Sequence, residues 1–134
     1  MGALLGFDFG LRRIGVAVGL TLTGTASPLT TLISRNEQPD WVAIGRLVAE
    51  WQPEALVVGL PYQMDDQEAE VAGRARRFAR QLEGRYRLPV HLADERLTTR
   101  EARRQLGRRG TEDRRLVDAL AAQLILETWL SDRN

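Results

Sequence analysis

Three carboxylates stand out by where the sequence places them. Asp8 lies inside Leu4-Leu5-Gly6-Phe7-Asp8-Phe9-Gly10, an otherwise apolar, glycine-rich run. Glu95 follows Pro89-Val90-His91-Leu92-Ala93 within Asp94-Glu95-Arg96, and Asp118 shares a helical face with Ala121, Ala122, Ile125 and Trp129. A carboxylate in apolar surroundings must be hydrogen-bonded, protonated, paired or metal-bound. If a long C-terminal helix packs beside the central strand, the three converge and repel one another unless protons, arginine or divalent cations neutralise them. Mg²⁺ suits such a set, with hard oxygen ligands and retained waters, and one or two such ions serve phosphoryl transfer. For Asp118 the structural alternative is a salt bridge to an arginine such as Arg114 or Arg115.

Charge of the opposite sign is concentrated nearby. All 19 basic residues are arginine, and the net charge of +1 hides a division. Residues 74–115 hold 14 arginines against 6 acidic residues, a net of +8, while the rest of the chain is at -7. Guanidinium forks suit bidentate phosphate contacts, although a solvated, salt-bridged helix surface would use the same residues. A non-catalytic nucleic-acid-binding module would explain the basic region but not Asp8, Glu95 and Asp118 together.

Other chemistries are excluded or disfavoured. With no cysteine there is no disulfide framework, thiolate nucleophile or cysteine-ligated metal. There is no GxxxxGK[ST] run and no lysine, which removes the standard P-loop. The first glycines are not a dinucleotide fingerprint, because a second strand rather than a helix follows them. A sugar-kinase-like phosphate site on the same hairpin would need a second lobe, for which 134 residues leave no room. His91, flanked by Val90 and Leu92, reads as an ordinary strand histidine, and Ser27, Ser34 and Ser131 sit in no acyl-transfer motif. No basic leader precedes an apolar segment and no run reaches membrane-spanning length, so a soluble protein of the cytoplasm, with no membrane partner, is expected.

The elements that would position these residues follow from periodicity. Leu4–Gly10 and Ile14–Gly19 read as strands joined by a tight turn carrying Arg12 and Arg13, and Ala26–Ile33 as a third strand entered at Pro28. Asp40 caps a helix reaching Ala49 or Glu50, with Trp51 as a core or edge residue rather than a base-stacking platform. Ala55–Val58 is a buried strand. From Gln67 to Glu83, Ala72, Ala75, Phe78, Ala79 and Leu82 mark the packed side of a helix with a basic exterior, ended by Gly84. Pro89–Ala93 is a fifth strand. Thr98 opens a short helix to Leu106, Arg108 and Arg109 lie in a basic loop between Gly107 and Gly110, and Thr111 caps a long helix to about Leu130. On that helix Leu116, Leu120 and Leu124 read as a packed stripe adjoining Asp118. The order predicts one α/β domain over residues 1–134, its sheet antiparallel at the start and parallel afterwards.

These segments resemble the YqgF-type family of Holliday junction resolvases, also described as pre-16S rRNA nucleases, within the RNase H-like superfamily. The resemblance rests on Gly6-Phe7-Asp8-Phe9-Gly10 with Arg12-Arg13-Ile14-Gly15-Val16-Ala17-Val18, on Val57-Val58-Gly59-Leu60-Pro61 with Met64-Asp65, on Asp94-Glu95-Arg96-Leu97-Thr98-Thr99, and on Asp118 with Ala121-Ala122 and Ile125-Leu126. It implies an RNase H-like fold, a five-stranded mixed sheet flanked by helices, with Asp8, Glu95 and Asp118 as catalytic metal ligands for one or two Mg²⁺ or Mn²⁺ ions. Arg12, Arg13 and Arg96, with the Arg108-Arg109 loop, would hold a nucleic-acid backbone. The implied reaction is metal-dependent phosphodiester hydrolysis, processing the 5′ end of precursor 16S rRNA, with branched junction DNA as the alternative substrate. A homodimer or a ribosome-associated partner is compatible with either. The chain departs from the family pattern at Arg12, where lysine is common, at Asp66, where glycine is usual, and at Gly19-Leu20, where Ser-Asp is common.

Overall fold

The computed structural model describes residues 2–61, 66–95 and 114–133. In chain order these form β1 (Ala3–Phe9), β2 (Arg13–Leu20), β3 (Thr25–Ile33), α1 (Trp41–Trp51), β4 (Ala55–Pro61), α2 (Asp66–Tyr86), β5 (Val90–Glu95) and α3 (Arg114–Ser131). The strands make one sheet in the order β3-β2-β1-β4-β5. β1 pairs antiparallel with β2 and parallel with β4, while β2–β3 is antiparallel and β4–β5 parallel. This is the five-stranded mixed sheet of an α/β, RNase H-like architecture.

Alternation along the central strands divides the core into two layers. Leu5, Phe7, Ile14, Val16, Val58 and Leu60 face α1 and α2, where Ile44, Phe78 and Leu82 meet them. Leu4, Ala17 and Val57 face α3, where Ala122, Ile125, Leu126 and Leu130 cover them. Pro28 is tolerated because β3 is an edge strand, and the β2–β3 register shifts beside it, between Val16 and Ala17. At α1 the Ala43 N–H donates to Asp40 Oδ1 at 3.1 Å, as the capping pattern predicted, and Gln52 closes the helix in the left-handed region.

Two sequence expectations are corrected. Gly84 does not end α2, which continues to Tyr86. A helical glycine costs about 1 kcal/mol relative to alanine and is not in itself a stop; the turn comes at Arg87 (φ 55), whose N–H donates to the Glu83 carbonyl, just before Pro89. Nor are Leu116, Leu120 and Leu124 the packed stripe of α3. Leu116 is 45% exposed and the other two are half-buried, whereas Ala121, Ala122, Ile125 and Leu126 are buried. The helix turns its small residues to the sheet, which lets its backbone approach more closely than a leucine stripe would. The short helix expected over 98–106, the Gly107–Gly110 loop and the Thr111 cap lie outside the described residues, and no described helix is long and apolar enough to cross a membrane.

Candidate functional site

Asp8 faces the α3 side of the sheet, next to the carboxyl end of β1, and is 7% exposed. Its register partners are Gly15 on β2 and Gly59 on β4, so glycines flank it on both sides. A Cβ added at Gly15 would fall on the backbone carbonyl of Asp118 and close to the Ala119 nitrogen, and one added at Gly59 would meet Ile125. Gly6, one step back along β1, is covered by Leu126 in the same way. The glycines thus form a flat seat on which α3 lies with unusually close backbone approach. The space above them is filled by the helix rather than left as open room beside Asp8.

The seat brings Asp118 to the row of Asp8 and Gly15. Its side chain, 15% exposed, accepts a hydrogen bond on Oδ2 from Arg13 Nε at 2.6 Å. Arg13 opens β2 two residues before Gly15 and therefore shares its face of the sheet. Asp118 is salt-bridged, as one sequence reading allowed, and among the described residues its partner is Arg13, 105 positions away; the side chains of Arg114 and Arg115 lie outside the described residues. No local pattern announces that pair. The one available signal is that Arg13 and Gly15 share the strand parity that Gly6 and Asp8 have on β1.

Glu95 ends β5, with its backbone in register with Pro61. It has the parity of Ala93, which packs against the α3 layer and is paired with Gly59. From ordinary sheet spacings the Glu95 backbone is about 12 Å from that of Asp8, two strands across and two residues along. The Glu95 side chain lies outside the described residues, as do Arg96, Arg108 and Arg109. Arg12 is exposed at the β1–β2 turn, on the same edge of the sheet. Asp94 is exposed and pairs with Leu60, a residue of the other layer, so it stands apart from the acidic row. His91 packs its ring on Trp129, 5.0 Å between centroids, which makes it a packing residue as its sequence context implied.

Two carboxylates held on one face by backbone packing, beside a guanidinium and an exposed arginine turn, offer hard oxygen donors at the carboxyl ends of parallel strands. Ligand sites of open α/β sheets lie at those ends. Among the described residues no group of three or more acidic or histidine side chains is close enough to hold a metal ion. Asp8 and Asp118 supply the carboxylate oxygens that a divalent cation prefers, and waters and a third carboxylate would be needed to complete such a set.

A family model described as "RuvX: Holliday junction resolvase" matches residues 2–132. An Azotobacter vinelandii protein named "Putative pre-16S rRNA nuclease" is 56% identical over 133 residues, covering 97% of this chain and 94% of the relative. A Pseudomonas putida protein of the same name is 52% identical over 131 residues, covering 95% and 93%. Among solved structures, T. thermophilus RuvC in complex with Holliday junction substrate aligns over 99% of this chain and 96% of its own, with a TM-score of 0.59 and 19% identity. The fowlpox virus resolvase in complex with Holliday junction DNA covers 98% of each chain at a TM-score of 0.60 and 8% identity. At such identities these two likenesses speak to the fold.

Proposed function

This chain belongs to the RuvX, Holliday junction resolvase, family of nucleases, and we propose that it hydrolyses phosphodiester bonds with Asp8, Glu95 and Asp118 as its catalytic carboxylates. The observation that carries the reading is the seating of α3 on Gly15, which fixes Asp118 in the row of the buried Asp8. Neither residue is placed there by packing needs alone, since both put a carboxylate on a largely apolar layer.

The cation we assign to this set is Mg²⁺ or Mn²⁺, one or two ions, held by Asp8, Glu95 and Asp118. When bound it would supply an activated water near neutral pH and neutralise charge developing on the phosphoryl oxygens. The chain does the rest. Asp8 is carried by the central strand and Asp118 by the helix seat, so the backbones that present the two carboxylates are held in place before substrate arrives. Arg12 binds the phosphate backbone from the exposed turn, and Arg96, Arg108 and Arg109 are assigned the same role from the sequence. Contacts of this kind position a backbone without reading sequence, so substrate choice rests on shape.

The names of the relatives favour precursor 16S rRNA as substrate, and the family model's description favours a Holliday junction; our assignment is the 5′ end of that RNA, in the cytoplasm. The test compares wild type with Asp8→Asn, Glu95→Gln and Asp118→Asn on precursor 16S rRNA and on a four-way DNA junction, with Mg²⁺, Mn²⁺ or chelator. Cleavage of the RNA by wild type alone, abolished by chelator, is the expected result. Equal cleavage by all four proteins would sink the carboxylate mechanism, and preferential cutting of the junction would move the assignment to DNA. Tight binding by every variant with no cleavage by wild type would make the protein a non-catalytic binding module.

A further inference from the structure

We propose that Arg13 is an internal counter-ion that occupies Asp118 in the substrate-free protein and weakens divalent-cation binding there, so that cation loading rises when a phosphodiester gives Arg13 another anion to hold. The inference rests on the reading of Asp8, Glu95 and Asp118 as a cation site, and it gives Arg13 a task different from that of its neighbour Arg12.

The Arg13 Nε to Asp118 Oδ2 contact is 2.6 Å long and partly buried, with 34% and 15% of the two side chains exposed. It joins residues 105 positions apart, and both ends are anchored by backbone. Arg13 opens a strand paired on both sides, and Asp118 rides on the helix seated at Gly15. An exposed ion pair would dissolve into solvent at little cost. This one is held in place on the face that carries Asp8. Arg12, one residue earlier, is exposed on the turn and suited to meet phosphate directly.

A divalent cation on Asp118 would stand beside the guanidinium that now touches the same carboxylate, where repulsion between the two cations is large even at an effective dielectric constant near 20. It outweighs the ordering that one fixed carboxylate rotamer contributes, so cation and Arg13 compete. A phosphodiester changes the balance, because the planar guanidinium fork takes a phosphate bidentately and releases Asp118. By linkage, cation and nucleic acid then each favour binding of the other.

The test is Mn²⁺ titration of the substrate-free protein, by calorimetry or by electron paramagnetic resonance of free Mn²⁺, on wild type, Arg13→Gln, Arg13→Lys and Asp118→Asn. Arg13→Gln is expected to bind Mn²⁺ about fivefold or more tightly than wild type, and Arg13→Lys, which keeps the charge, to stay within about twofold. A 2′-O-methyl RNA oligonucleotide should tighten Mn²⁺ binding to wild type and leave Arg13→Gln unchanged. If wild type and Asp118→Asn bind Mn²⁺ alike, the cation site itself is misassigned and this proposal falls with it. Binding that depends on Asp118 but is unchanged or weaker in Arg13→Gln overturns the counter-ion role alone. A second measurement needs no metal: thermal melts of Arg13→Gln, Asp118→Asn and the double variant should be non-additive, and additive losses overturn the pairing.

Discussion

The approach of α3 to Gly15 makes the sharpest prediction. Replacing Gly15 by Ala puts a methyl group on the Asp118 carbonyl oxygen and against the Asp118 carbonyl carbon and the Ala119 nitrogen. These are backbone atoms of a helix and cannot rotate away, so α3 must lift. Overpacking of this kind costs about 1–3 kcal/mol. Lifting also draws Ile125 from Gly59 and Leu126 from Gly6, which sets the expected loss at the upper end, about 3 kcal/mol. With an unfolding entropy of about 2.1 cal/mol/K per residue over 134 residues, that is a fall of about 10 °C in Tm. Because Asp118 moves with the helix, cleavage should fall about 100-fold, the usual consequence of a 1 Å misplacement. Gly73→Ala is the control: a Cβ there meets nothing within 4 Å, and on α2 it should stabilise by about 1 kcal/mol through helix propensity. Circular-dichroism melts and RNA cleavage by the two variants check both. A Gly15→Ala protein melting within about 2 °C of wild type, with cleavage intact, would refute the idea that the helix is seated on this glycine.

Phe78→Ala should destabilise by about 3–5 kcal/mol in urea unfolding, since that ring is 1% exposed and meets Phe7, Phe9 and Trp41 at centroid separations of 5.5, 5.2 and 5.6 Å. Burial holds the Tyr86 phenol above its ordinary value of 10.0, with Arg85 pulling the other way. Stability from this group is therefore full below pH 10 and is lost as pH rises through the raised folded value; Tyr86→Phe should flatten that alkaline limb of a pH-stability curve. Glu37 has φ 60 on the turn before α1, a strained conformation for a residue with a Cβ, and pairs with Arg74 at 2.7 Å across an exposed surface. Left-handed strain of about 1–2 kcal/mol exceeds what such a pair contributes, so Glu37→Gly should raise stability by about 0.5–1 kcal/mol in the same unfolding assay.

What could be read from the sequence was what periodicity and capping control. The alternation of Leu5, Phe7 and Phe9 against Leu4, Gly6 and Asp8 separates the two layers, and Asp40 caps α1 where its position implied. The Ala72–Leu82 face of α2 is buried throughout. The errors fall where tertiary contact overrides local preference. Gly84 has the residue type of a helix stop, but Pro89 and the left-handed Arg87 set the end. The leucines of α3 have the greater hydrophobicity, yet the sheet beneath them is paved with glycine, and a flat seat selects the face bearing Ala121 and Ala122. Asp8 and Asp118 were legible as anomalies because each sets a charge among apolar neighbours. Their relation was not, because it passes through Gly15 and Arg13, residues whose roles exist only when β2 and α3 are in contact.

That contact has a consequence for how the site can vary. α3 covers a whole layer of the core and also carries Asp118, so the position of a candidate ligand is set by the packing of Ala122, Ile125, Leu126 and Leu130. A substitution in this layer that preserves stability but shifts the helix along its seat would be felt first at Asp118 and only later in the melt. The α1–α2 layer carries neither Asp8 nor Asp118 on its face and lies across the sheet from both. Conservative, volume-preserving changes at Ile44 or Leu82 should therefore alter stability while leaving cleavage per folded molecule unchanged, whereas Leu126→Met, of similar volume but beneath Gly6, should reduce cleavage more than its effect on Tm accounts for. Equal ratios of activity loss to stability loss in the two layers would mean that the helix seat does not set the geometry of the site.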